Sequence, residues 1–99
     1  MTEVEYLLIC VTEECAEIIQ IADKALRFGL DDWHPAIEPV VTNHEHLAHE
    51  LADLAAVVEL LHERGVNLVD PNRQEQITAK KAKVLEYMSW RTEQRAGDG

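Results

Sequence analysis

The chain has 99 residues, enough for one small domain, and 46% of them are apolar with only 3 Pro and 4 Gly, which excludes disorder along its whole length. Its formal net charge of −10 excludes the basic face that a nucleic-acid backbone requires. No apolar run reaches the length of a membrane span, and the opening Met1-Thr2-Glu3-Val4-Glu5 is acidic where a signal peptide is basic, so no membrane partner and a cytoplasmic location are expected.

A first helix is predicted from about Thr2 to Phe28, closed by Gly29, a residue suited to the position after a helix. Leu7, Val11, Ile18, Ala22 and Ala25 follow the helical period, and Leu8, Ile19 and Leu26 widen the stripe. At about 100° per residue from Glu14, this stripe fills an arc of roughly 20° to 140°. Glu14 then sits on its edge, and Glu17 lies about 60° further out. Cys10 and Cys15 fall in this helix and point in different directions, so they read as reduced, small packing residues and not as a bridge.

Residues 30–41 hold Trp33, Pro35 and Pro39 and are predicted to form an irregular connection. A second helix opens with Thr42 and Glu45, the spacing of a capping box, continues to Arg64 and stops at Gly65. Leu47, Leu51, Leu54, Val58 and Leu61 lie within roughly 20° to 100° of Glu50 on its wheel. Asp53 stands to Glu50 as Glu17 stands to Glu14. A third helix is predicted to start at Asp70-Pro71 and to run to about Arg95, with Gly97-Asp98-Gly99 frayed. The expected fold is an all-α single domain spanning 1–99, an antiparallel bundle with the third helix packed alongside. So short a chain with long amphipathic helices is expected to assemble into a homo-oligomer.

Two acidic signatures carry the chemistry: Glu13-Glu14-Cys15-Ala16-Glu17 and Glu50-Leu51-Ala52-Asp53. Residues three apart share a helix face, so Glu14 projects with Glu17 and Glu50 with Asp53. Two carboxylates on a helix are ordinarily solvated surface. The conjunction of two such pairs, each bordering an apolar stripe, points to a hard, oxygen-only site for Mg²⁺, with Mn²⁺ as a substitute. An ion held there would let a polyphosphate approach despite the negative field.

Lys24 and Arg27, beyond Glu17, would either grip phosphate oxygens or simply complement the helix dipole. Lys80 and Lys83 share a face of the third helix and offer a second phosphate clamp, against the plainer reading of surface lysines. Trp33, beside His34, would stack on a nucleobase or anchor the loop on the core. Asn43 would read a base edge or serve the start of the second helix, and Tyr87 and Trp90 would pack their helix or a subunit contact. His44, His46 and His49 do not have the H-E-x-x-H spacing of a zinc protease, and they read as surface, with His46 or His49 near the rim of Glu50 and Asp53.

The pattern E-E-x-x-E followed by E-x-x-D resembles that of the MazG-like, all-α nucleoside triphosphate pyrophosphohydrolase superfamily. Small phage-type members are similar at Glu14-Cys15-Ala16-Glu17-Ile18-Ile19-Gln20, Lys24-Ala25-Leu26-Arg27-Phe28-Gly29 and Glu50-Leu51-Ala52-Asp53-Leu54. The resemblance covers about residues 5–90, and the connection between the two motifs is longer here than in many members. It implies hydrolysis of a (d)NTP at the α–β phosphoanhydride to (d)NMP and pyrophosphate, with a lean towards the purines dGTP and dATP. Carried over by position, Glu14, Glu17, Glu50 and Asp53 are Mg²⁺ ligands, and Glu13 binds a further metal or orients the attacking water. It also implies a homodimer or a tetramer built from dimers. Two rivals stand beside it. Glu59-Leu60-Leu61-His62-Glu63-Arg64-Gly65-Val66 is similar to part of phosphoribosyl-ATP pyrophosphohydrolase, and a non-catalytic helical nucleotide-binding or interaction module would keep the fold without turnover.

Overall fold

A computed structural model of the protein describes residues 1–98, with side chains for residues 1–92. The last residue of the expected frayed end, Gly99, lies outside the described residues. Three helices account for most of the chain: α1 (Glu3–Phe28), α2 (Asn43–Glu63) and α3 (Arg73–Asp98). Residues Met1–Leu68, with α1 and α2, form one compact unit, and α3 belongs to a second that begins at Val69.

Both ends of α1 and α2 are set by local chemistry. Thr2 caps α1, its Oγ1 accepting the Glu5 N–H at 3.1 Å, and Thr42 caps α2 by accepting the Glu45 N–H at the same distance. The chain leaves α1 through Gly29, whose φ of +101° is a conformation only glycine adopts without strain. It leaves α2 through a Schellman turn. Gly65, at φ +86°, donates to the His62 carbonyl while Val66 N–H reaches back to the Leu61 carbonyl.

α1 and α2 pack against each other antiparallel, and each end of the pair is tied. Arg64 Nε, just past α2, lies 3.1 Å from Glu3 Oε2 at the start of α1. At the other end the Asn43 side-chain amide donates to the Gly29 carbonyl at 2.9 Å. The seam between the helices follows alternating steps of three and four residues. On α1 it runs through Val4, Leu7, Val11, Glu14, Ile18, Ile21 and Ala25; on α2 through Asn43, Leu47, Glu50, Leu54, Val57 and Leu61. Leu7, Ile21 and Leu61 are its buried apolar residues, Leu61 completely so.

The seam corrects the predicted stripes in phase. Leu7, Val11, Ile18, Ala22 and Ala25 do face inward, but Leu8, Ile19 and Leu26 are exposed, Leu26 at 87%. On α2 Leu51 is likewise exposed. Glu14 and Glu50 are therefore members of the seam and not its rim. The wheel misplaced them because both helices carry a second apolar stripe, and periodicity alone does not tell which stripe meets the partner helix.

The third helix begins later than Asp70-Pro71 predicted. Asp70 turns its own carboxylate onto the Asn72 N–H at 2.8 Å, and its carbonyl accepts Arg73 N–H. That side-chain turn spends Pro71 and Asn72 before the helix begins. α3 then runs beyond Arg95 to Asp98. Val84, Leu85, Tyr87, Met88 and Trp90 are all exposed on it.

Residues 30–41 are irregular, as predicted, but anchored. Trp33 pairs with Thr42 in an isolated antiparallel bridge, Asn43 N–H donates to the Asp32 carbonyl and His44 N–H to the Leu30 carbonyl, both at 2.9 Å. Asn43 thus ties the connection to α2 through its backbone and to the end of α1 through its side chain, while only 9% exposed. Replacing it with alanine leaves the Gly29 carbonyl without that donor. Asn43→Ala is expected to cost about 1–3 kcal/mol of stability in chemical denaturation without loss of helical circular dichroism. An unchanged denaturation midpoint would show that the tie carries no weight.

Candidate metal centre

The antiparallel register that sets Arg64 by Glu3 brings the two acidic signatures together at mid-seam. Glu14, Glu50 and Asp53 each bring a carboxylate oxygen within 4.8 Å of the others. Glu17, on the next turn of α1, stands outside that set of three but close enough to act on the Glu50 carboxyl. The exposures are graded: Glu50 is buried at 8%, Glu14 is half-buried, and Glu17 and Asp53 are exposed. The cluster is thus a funnel, with its floor in the apolar seam and its mouth open to solvent.

Electrostatics at the floor are unfavourable for four bare charges. Glu50 is pushed up from its usual 4.5 to about 7, first by the hydrogen bond with Glu17, which favours the protonated acid, then by burial, and then by Glu14. Two buried oxygens, Glu14 Oε2 and Glu50 Oε2, have no hydrogen-bond donor. An ionised carboxylate oxygen buried without a donor or a cation is strongly disfavoured.

A divalent cation fits this arrangement. Every atom of the cluster is a hard carboxylate oxygen, the donor type that Mg²⁺ and Mn²⁺ take. Mg²⁺ holds its ligands at about 2.1 Å, which puts two oxygens on one ion no more than about 4.2 Å apart. The observed spacing, within 4.8 Å, is close to that limit. The two donorless oxygens are the atoms such an ion would satisfy.

The remaining predicted residues separate. Glu13 is exposed on α1, one residue before Glu14. Lys24 lines a cavity of about 230 Å³ at the end of α1, together with Phe28, Asp32, Trp33, His34 and Asn43. Trp33 is half-exposed there and does not plug the core. Arg27, in contrast, pairs with Asp23 at 3.4 Å and lies over the Phe28 ring. Lys80 and Lys83 line a shallow groove on α3 with Val84, Tyr87, Met88 and Arg91, within the second unit.

Two neighbours carried less weight in the sequence than the structure gives them. His46, placed with the surface histidines, stands with Nε2 3.3 Å from Glu50 Oε1, the i to i+4 relation across one helical turn. Asp32 carries no periodic signal in the sequence, because it lies in an irregular loop; its place beside Trp33 is the available signal. No family model, curated protein or solved structure matches the chain. No helix among the described residues is long and apolar enough to cross a membrane.

The raised Glu50 gives the metal-free protein a pH dependence. Between about 4.5 and 7 the folded chain keeps a proton on Glu50 that the unfolded chain has released. The stability from this proton is complete below 4.5 and is lost as pH rises through about 7. In excess EDTA the Tm is expected to fall across that window at constant ionic strength. Glu50→Gln, which cannot lose a proton, is expected to flatten the fall; an equal slope in both proteins would remove Glu50 from the cause.

Metal should reverse the penalty. A ligand bound only by the folded state stabilises by RT ln(1 + [L]/Kd), about 2.7 kcal/mol at a hundredfold excess over Kd. Mg²⁺ or Mn²⁺ is expected to raise the Tm of the wild type and to do little for Glu14→Gln/Asp53→Asn, again at matched ionic strength because salt alone screens a chain of charge −10. Equal shifts would mean that the cation acts as bulk salt.

Proposed function

We propose that the chain is a Mg²⁺-dependent nucleoside triphosphate pyrophosphohydrolase that cleaves a (d)NTP to the monophosphate and pyrophosphate. The observation that carries this reading is the convergence of Glu14, Glu50 and Asp53 at mid-seam, with two buried oxygens lacking any donor and Glu17 close by on the next turn of α1. The resemblance of the paired acidic signatures to the MazG-like superfamily supplies the reaction class.

Bound Mg²⁺ would neutralise phosphate charge and lower the pKa of a bound water. The protein's share is placement. Glu14 and Glu50 hold the floor of the site, and Glu17 and Asp53 complete its mouth. Glu13, solvent-facing one residue before Glu14, would orient the attacking water or bind a further metal. Water oxygen bonds to the α-phosphorus, the bond from that phosphorus to the bridging oxygen breaks, and pyrophosphate leaves with the electron pair. Reactions of this kind depend mainly on positioning and electrostatic stabilisation.

The cavity at the end of α1 supplies the other half of a nucleotide site. Lys24 follows Glu17 by seven residues, and Asn43 precedes Glu50 by seven. Two helical turns, about 10 Å, therefore separate the cavity from the carboxylates along the seam. A nucleotide whose phosphates reach the carboxylates can lay its base beside Trp33 and present phosphate oxygens to Lys24. The pairing of Arg27 with Asp23 favours a structural role for that arginine. The outward Leu8, Ile19, Leu26 and Leu51 support assembly into a homodimer or a tetramer of dimers.

Canonical and modified dNTPs incubated with Mg²⁺ are expected to yield pyrophosphate, with no activity in excess EDTA. Orthophosphate as first product, or phosphoribosyl-ATP as the sole substrate turned over, would overturn the assignment. Glu17→Gln and Asp53→Asn are each expected to lower kcat by at least a hundredfold while helical content is kept. Near-normal turnover by either variant would remove that residue from the metal shell, and binding without turnover in the wild type would favour a non-catalytic module.

A further inference from the structure

The loop cavity is lined by an acidic residue that the proposed reaction does not use. Asp32 lines it beside Trp33, Lys24 and Asn43. The Asp32 backbone is fixed on both sides: its N–H donates to the Gly29 carbonyl at 3.4 Å, and its carbonyl accepts Asn43 N–H at 2.9 Å. The next residue, Trp33, is held by its bridge to Thr42, and His34 Nδ1 accepts Ala36 N–H at 3.1 Å. The three residues that form one wall of the cavity are therefore anchored in place by the ends of α1 and α2 and by the loop's own turn. Among the described residues no side-chain hydrogen bond or ion pair engages the Asp32 carboxylate, and Lys24, in the same cavity, forms no ion pair with it.

An ionised carboxylate is an acceptor only, with two oxygens side by side. Its best partner is a planar group that offers two adjacent N–H donors. Among the common bases guanine alone has this on its pairing edge, in N1–H and the 2-amino group. Adenine and cytosine each set one amino group beside an acceptor nitrogen, which repels a carboxylate. Thymine sets a single N–H between two carbonyls. An aromatic wall accepts any base by stacking, so the carboxylate is the discriminating group.

We propose that Asp32 is a specificity-determining residue that selects guanine, by accepting N1–H and the 2-amino group of a base stacked on Trp33. This rests on the nucleotide-site reading above and narrows its substrate to a guanine nucleotide. A buried polar group built to bond a substrate donor rejects analogues lacking it more strongly than an apolar pocket can. Asp32 is solvent-facing, so a selectivity at the modest end of that range is expected.

The two tryptophans of the chain are Trp33 and Trp90, and Trp90→Phe leaves the cavity indole as the only one. In that background, quenching of tryptophan fluorescence by nucleoside monophosphates without metal measures binding apart from catalysis. Affinity for dGMP is expected to exceed that for dAMP, dCMP or TMP by about tenfold or more, with dIMP, which keeps N1–H and lacks the 2-amino group, in between. Asp32→Asn is expected to bring dGMP to within about threefold of dAMP, while a circular dichroism spectrum matching its parent reports that the fold is kept. Equal affinities in the parent, an undiminished dGMP preference in the variant, or no quenching by any nucleotide would each overturn the proposal. Pyrophosphate release without guanine preference would overturn this inference and leave the hydrolase reading standing. Guanine-selective binding without pyrophosphate release would do the reverse.

Discussion

Everything in the α1–α2 unit has to accommodate two glutamates seated where a helix pair would ordinarily place leucines. Glu14 and Glu50 occupy mid-seam positions in a three-and-four repeat that is otherwise apolar apart from Asn43 at its end. Desolvation disfavours their ionised forms, and their mutual repulsion adds to it. The seam has to be held elsewhere, and its ties lie at the two ends: Arg64 with Glu3, and Asn43 with the Gly29 carbonyl. A helix pair clamped at both ends can keep an unfavourable centre in register. That is how a small unit presents a charged site on a rigid frame.

The helices were largely legible in the sequence because their ends are encoded locally. Thr42 with Glu45 and Gly65 predicted α2 to within a residue, and Gly29 marked the end of α1. The pairing of the two acidic signatures was legible from their identical spacing. The phase of the seam was not. Leu8 and Leu51 are as apolar as Leu7 and Leu54, and only the partner helix decides which are covered. The start of α3 was missed because Asp70 can cap a helix or close a turn with the same carboxylate, and it does the second. The cavity was invisible for a different reason. It is built by backbone pairing between residues nine or more apart in a segment with no period.

The division of labour between the two halves of the site follows from these constraints. Carboxylates on helices are held by the regular backbone and by the seam, which suits a cation that tolerates little misplacement. The aromatic and polar groups proposed to meet a base sit on a loop, where side chains can vary without disturbing the helix pair. The anchoring of residues 32–34 to the start of α2 gives that loop some of the precision of the helices.

The donorless oxygens of Glu14 and Glu50 also bear on how long the protein survives in a cell. A folded state penalised at its own centre opens more often, and degradation follows the population of the open form when opening is rapid. A cation that relieves the penalty would shield the chain from proteases, so its abundance would follow the local supply of divalent metal without any change in synthesis. Leucine at both positions would make a sturdier helix pair with no site at all. If a cation does occupy the seam, the stability forgone there would make the lifetime of the protein a gauge of its metal supply.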